Sequence, residues 1–228
     1  MKNRTININV VEEVAVALGN LKEQMVFVGG AVVSLYANDP IVEQIRPTSD
    51  IDMTINLVNF SNWAQLQEKL ARLHINPDPF GNSICSYRYK DIPLDIIPAN
   101  ISHIGETNRW YSYGFDNLCL LKVNAVEIKV LPAPCYLAAK FEAFNNRGKD
   151  YRTSHDFEDI IYVIDNRIEI IEEVKQSHSD VRAYLKQELE KALNSIFWED
   201  ILLAHIHPLI IDERGPIITE RINQIIQL

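Results

Sequence analysis

The sequence predicts an α/β (α+β) protein in two parts, a small mixed-sheet domain over residues 1–131 followed by an all-helical domain over 132–228. Three observations lead there. Short apolar or alternating runs of strand length occur in the first part only. Leu131-Pro132-Ala133-Pro134 then breaks the pattern, and from Cys135 onward almost every segment repeats its apolar residues at helical spacing.

In chain order, Val11, Val14, Leu18 and Leu21 recur at helical spacing and predict a helix over 10–21. Met25-Val26-Phe27-Val28 reads as a buried strand entering a turn at Gly29-Gly30, and Ala31 to Tyr36 as a helix stopped near Asn38-Asp39-Pro40. Ile51, Met53 and Ile55 alternate with Asp52, Thr54 and Asn56, the period of a half-buried strand, so Asp50 and Asp52 point to the same face. A helix follows over 60–73, with Trp63, Leu66, Leu70 and Leu73 on one side. After the turn-rich stretch from Asn76 to Asn82, strands over 84–89 and 93–97 form a hairpin around Lys90-Asp91. Runs over 118–123 and 126–131 complete the sheet. Helices are expected around 135–146, 155–165, 168–176, 178–195, 197–206 and 215–227.

Composition narrows the function. Hydrophobic residues make up 47% of the chain and charged residues 23%, as in ordinary soluble globular proteins. The net charge of -9 repels nucleic acid at long range, so a polynucleotide partner needs a local basic patch. Cys85, Cys119 and Cys135 are odd in number and lack C-x-x-C spacing, which argues against a disulfide framework or structural zinc and for reduced cysteines in a cytoplasmic protein. The N-terminus lacks a signal-peptide apolar run, and Met25 to Ala37 is too short to cross a bilayer, so no membrane association is expected.

The chemistry concentrates between Met25 and Asn56. Two aspartates on one strand face repel each other unless a cation lies between them, and magnesium, which prefers hard oxygen ligands, is the natural one. A pair such as Asp50-Ile51-Asp52 can bridge two ions ~3.5–4 Å apart. Asp95 lies between apolar residues in mid-strand, an expensive place for an unpaired charge, and can supply a third ligand. Gly29-Gly30 can be a tight turn or a close-approach point for nucleotide phosphates. No P-loop or dinucleotide-fold glycine motif is present.

Gly29-Gly30, then Arg46 and Ser49 ahead of Asp50-Ile51-Asp52, then Asp95 in Leu94-Asp95-Ile96-Ile97 together resemble the signature of the nucleotidyltransferase superfamily, with its DNA polymerase beta-like fold. Arg46, with Lys140, Arg147 and Asp156-Phe157-Glu158-Asp159, further resembles the branch containing AbiEii-type toxins of toxin–antitoxin and abortive-infection systems. The resemblance spans roughly 26–167. It implies that Asp50, Asp52 and Asp95 are catalytic and bind two Mg2+ ions, for which Mn2+ can substitute. It also implies that Gly29, Gly30, Arg46, Ser49 and Lys140 contact an NTP such as ATP, with Asp156 and Asp159 in support. The reaction would move NMP from the NTP to a hydroxyl of an RNA, a tRNA or a protein, releasing pyrophosphate, and a cognate antitoxin would be a partner.

Plainer readings stand beside these. Lys140 can be a solvated helix lysine, Asp156 and Asp159 can complement a helix dipole, and Arg46 can simply neutralise the acids. Ser34 suits packing, and His205-x-His207 lacks further ligands at metal spacing. Lys140, Arg147, Lys149 and Arg152 can form an RNA-receiving cluster or a mixed-charge loop. Trp110, Tyr111, Tyr113 and Phe115 can stack a base or cap the core. The alternatives for the whole are a nucleotide- or partner-binding protein without activity on the same fold, and a transferase acting on a small molecule such as an antibiotic.

Overall fold

A computed structural model of the chain describes residues 6–39, 48–57, 60–100, 108–148 and 150–228. The chain divides into two compact units, Met1–Ser34 with Gln44–Pro132, and Leu35–Glu43 with Ala133–Leu228.

The first unit is built on a mixed sheet of seven strands. These are β1 (Met25–Val28), β2 (Ile51–Ile55), β3 (Ile75–Pro77), β4 (Ser86–Tyr89), β5 (Ile92–Pro98), β6 (Cys119–Val123) and β7 (Val126–Val130), lying in the order β3-β4-β5-β2-β1-β7-β6. β2 runs antiparallel to β1 and parallel to β5, and β1 runs parallel to β7. The predicted hairpin is β4–β5, with Tyr89 opposite Ile92 and Lys90 in the left-handed region at φ 54°. In β5, Ile92, Leu94, Ile96 and Pro98 are buried while Asp95 and Ile97 are half-buried, which is the two-residue alternation of a strand with one covered face.

α1 (Ile8–Leu18) is capped by Asn7, whose side chain accepts from the amides of Asn9 and Val10, and it buries Val10, Val11, Val14, Ala15 and Leu18. α2 (Phe60–Arg72) buries Trp63, Leu66 and Leu70. Two elements escape the sequence pattern. β3 falls in a stretch that reads as turn because of Pro77, which an edge strand tolerates since its missing N–H faces away from the ladder. α3 (Trp110–Gly114) is only five residues long, too short to show a period. It buries Trp110, which packs on Tyr113 at 5.4 Å between ring centres and carries the Arg109 guanidinium 4.5 Å above it. The segment expected as a helix after the glycines is a 3-10 helix over Gly30–Tyr36, a form proteins use in short pieces.

The second unit contains α4 (Ala133–Arg147), α5 (His155–Asn166), α6 (Ile170–Gln176), α7 (Ser179–Leu193), α8 (Trp198–His205) and α9 (Ile211–Gln227). Leu35–Glu43 belongs to it: Tyr36 packs on Tyr136 at 4.4 Å between ring centres, and the amides of Asn38 and Asp39 donate to Asn166 O. Phe141, Phe144, Tyr151 and Phe157 form an aromatic core between α4 and α5. Arg214, buried on α9, donates to Asp165 Oδ1 at 2.7 Å and to Asp39 Oδ2 at 3.1 Å. Burial pushes the Asp165 carboxyl upward, and the two arginines Arg214 and Arg221 oppose that shift. Among the described residues no helix is long and apolar enough to cross a membrane.

His205 serves this core. Its Nε2 donates to Tyr151 O at 2.6 Å and its ring lies 5.8 Å from that of Phe157. Burial lowers its pKa below the usual 6.5, against the Tyr151 hydrogen bond and the charge of Glu158, with His155 adding to the lowering. The fold thus favours neutral imidazole. The resulting stability is present above about pH 6.5 and is lost as pH falls from there through the folded-state pKa. Thermal midpoints measured from pH 7.5 down to 5 should decline for the wild type, and decline less for His205→Gln; parallel curves would refute the assignment.

Candidate active site

The parallel register of β2 and β5 sets Asp52 directly beside Asp95, and the antiparallel register of β1 and β2 sets Val28 beside Asp52. Asp50 immediately precedes β2. The three acids therefore converge: Asp50, Asp52 and Asp95 each offer a carboxylate oxygen, all within 4.8 Å of one another, and all three residues are half-buried. Like charges this close repel strongly, and a set of three hard oxygen donors suits a divalent cation such as Mg2+ or Mn2+.

The glycine turn is tied to this cluster sterically. Gly29 has φ 73°, in the left-handed region where a side chain is strained. A Cβ at this position would lie 2.0 Å from Asp52 Oδ2 and 2.8 Å from both Asp52 Cβ and Cγ. The acid occupies the space where any other residue would carry its side chain. Gly30 begins the 3-10 helix that follows.

Two neighbours of the cluster carry no signal in the sequence. Thr48 Oγ1 donates to Asp50 Oδ1 at 3.3 Å, and Thr48 itself is held by a bridge to Ile6. Ser86, buried at the start of β4, lies directly opposite Asp95 on β5, so the two side chains share a face. Neither is singled out by the sequence pattern: the strand register reveals Ser86, and a local side-chain hydrogen bond reveals Thr48. Next to Ser86, burial and then the charge of Asp95 push the Cys85 thiol upward, so it stays protonated. Cys85, Cys119 and Cys135 are all free thiols. Ser49 is exposed on the bend before Asp50, and Arg46 and Lys149 lie outside the described residues.

Lys140, Asp156 and Asp159 meet within the helical unit. Lys140 is 8% exposed, with its Nζ 3.1 Å from Asp156 Oδ1 and 2.7 Å from Asp159 Oδ2. Spacing of three on α5 puts the two acids on one face, and α4 brings the lysine between them. Ser154 caps α5, accepting from Phe157 N at 3.3 Å. Of the other basic residues in the cluster, Arg147 reaches to 4.0 Å of Asp156, and Arg152 pairs with Asp150 at 3.0 Å.

The mixed sheet and the helices that follow it are consistent with a nucleotidyltransferase-like fold. Among solved structures the chain is similar to an antigenic nucleotidyltransferase-like protein from Paracoccidioides brasiliensis, with a TM-score of 0.51, 19% sequence identity, and coverage of 87% of this chain and 93% of that one. At that identity the likeness speaks for the fold alone. No protein-family model and no curated protein matches the sequence.

Proposed function

We propose that this chain is a divalent-metal-dependent nucleotidyltransferase, moving NMP from an NTP to an acceptor hydroxyl with release of pyrophosphate. The observation that carries the reading is the convergence of Asp50, Asp52 and Asp95 within 4.8 Å, beside a glycine whose missing side chain makes room for Asp52. In this reading the three carboxylates hold two Mg2+ ions, which when bound would supply the positive charge that activates the acceptor oxygen and stabilises the leaving one. Asp95 receives the acceptor proton. Gly29 and Gly30 let the triphosphate approach the backbone, and the sequence resemblance assigns Ser49, Arg46 and Lys140 to nucleotide binding, with Asp156 and Asp159 in support. The AbiEii-type toxin role rests on the sequence resemblance and predicts growth arrest on induced expression, relieved by Asp50→Asn with Asp52→Asn.

The test uses α-labelled NTPs, Mg2+, and RNA or protein acceptors. Wild type should transfer label, and Asp50→Asn with Asp52→Asn should not; label that survives this double change sinks the site. A second readout is independent of acceptor. Mg2+ or Mn2+ should raise the thermal midpoint of wild type and leave that of the double variant unchanged, because a cation that binds only the folded carboxylate cluster stabilises it by mass action.

A further inference from the structure

Resting on that reading of the acids, we infer that the closed loop Asp78–Ser86 is the acceptor-docking element, and that the acceptor it fits is a polypeptide segment carrying a hydroxyl residue and a nearby apolar one. The loop is ordered by its own contacts. Asp78 N donates to Ser86 O at 2.9 Å and closes it, Gly81 N donates to Asp78 O at 3.1 Å, and Phe80 N donates to Asp78 Oδ1 at 3.0 Å. Arg88 clamps the Asp78 carboxylate through Nε at 3.1 Å and Nη2 at 2.7 Å. A Cβ on Gly81 would meet Ser86 Cβ at 2.3 Å, so the loop lies directly against the residue opposite Asp95. From this tight frame Phe80 stands 89% exposed and Ile84 60% exposed. At that exposure none of the described residues covers the Phe80 ring.

The distances suit an acceptor. Opposed residues of an antiparallel pair have Cβ atoms about 5 Å apart, and the loop backbone touches Ser86, so Phe80 lies on the order of 10 Å from the Asp95 carboxylate. An extended peptide advances about 3.3 Å per residue, so an apolar side chain seated on Phe80 and Ile84 sets a hydroxyl about three positions away at the acids. Charge disfavours a polynucleotide here. Arg88 is committed to Asp78 and Lys90 to Glu13 at 2.7 Å, so the basic side chains flanking the loop are paired with acids rather than offered to a phosphate backbone, on a chain of net charge -9. In the transfer step the acceptor oxygen bonds to the α-phosphorus of the NTP, the bond from that phosphorus to the bridging oxygen breaks, pyrophosphate leaves, and the hydroxyl proton passes to a carboxylate.

The experiment labels a random heptapeptide library with one central serine, using the full chain, α-labelled NTP and Mg2+, with total RNA as a parallel acceptor. The expected result is labelled peptides enriched in aromatic or aliphatic residues two to four positions from the serine. Phe80→Ala with Ile84→Ala should raise the peptide KM about tenfold, the scale of one lost apolar contact, with kcat and NTP binding unchanged, and Phe80→Leu should restore much of it. Label on RNA and not on peptides, or peptide labelling indifferent to the loop variants, overturns the docking assignment and leaves the transferase reading intact. Wild type that labels nothing overturns both.

Discussion

Replacing Gly29 by alanine should abolish transfer as thoroughly as replacing Asp52, although Gly29 carries no functional group. The alanine Cβ would sit 2.0 Å from Asp52 Oδ2, and turning the carboxylate aside does not clear it, because Asp52 Cβ and Cγ are themselves at 2.8 Å. Either β1 and β2 separate locally or Asp52 leaves the group of three acids. Changing partners one step removed from a metal costs about 10- to 100-fold, so displacing a proposed ligand should reduce kcat/KM by at least about a hundredfold. The strain at φ 73° adds a loss of about 1–2 kcal/mol in stability. Gly19 separates the two effects: it has φ 52° with nothing within 4 Å of where a Cβ would stand, so Gly19→Ala should show the stability loss and full activity. Metal titration followed by thermal midpoint gives the second readout. A Gly29→Ala protein that keeps wild-type activity and its Mg2+ response would refute the steric account and the placement of Asp52 in the site.

The parts of this site that are legible in the sequence are those written in local pattern. A period of two puts Asp50 and Asp52 on one face, and a charge amid apolar strand residues marks Asp95; the parallel register of β2 and β5 then joins them. The contact between Gly29 and Asp52 is not legible, because it depends on which strand lies beside β1 and in what register. Ser86 is invisible for the same reason. Elsewhere tertiary contacts override local signals. Gly215-Pro216 reads as a helix start, yet α9 begins at Ile211, because buried Arg214 is held in that turn by Asp165 and Asp39. The 3-10 helix after Gly30 shows the converse, an apolar run whose spacing does not distinguish it from an α-helix turn.

Lys140→Met should strongly destabilise the helical unit. It removes the cation between Asp156 and Asp159 and leaves two buried acids, at 12% and 3% side-chain exposure, without it. Arg147 compensates weakly, since its guanidinium is 77% exposed and 4.0 Å away. Breaking a buried ion pair by removing one partner costs about 3–5 kcal/mol, which for a chain of this size lowers the thermal midpoint by roughly 6–20 °C. Adding Asp156→Asn and Asp159→Asn removes the stranded charges and should return most of that loss. The triple variant also separates scaffold from site. If Lys140 contacts phosphate, the refolded triple protein should keep its Mg2+ response and show an NTP KM raised about tenfold, the scale of one charge-assisted hydrogen bond. An unchanged KM would confine Lys140 to holding α4 against α5, whereas a triple variant no more stable than Lys140→Met would show that the two acids are satisfied by groups other than this lysine.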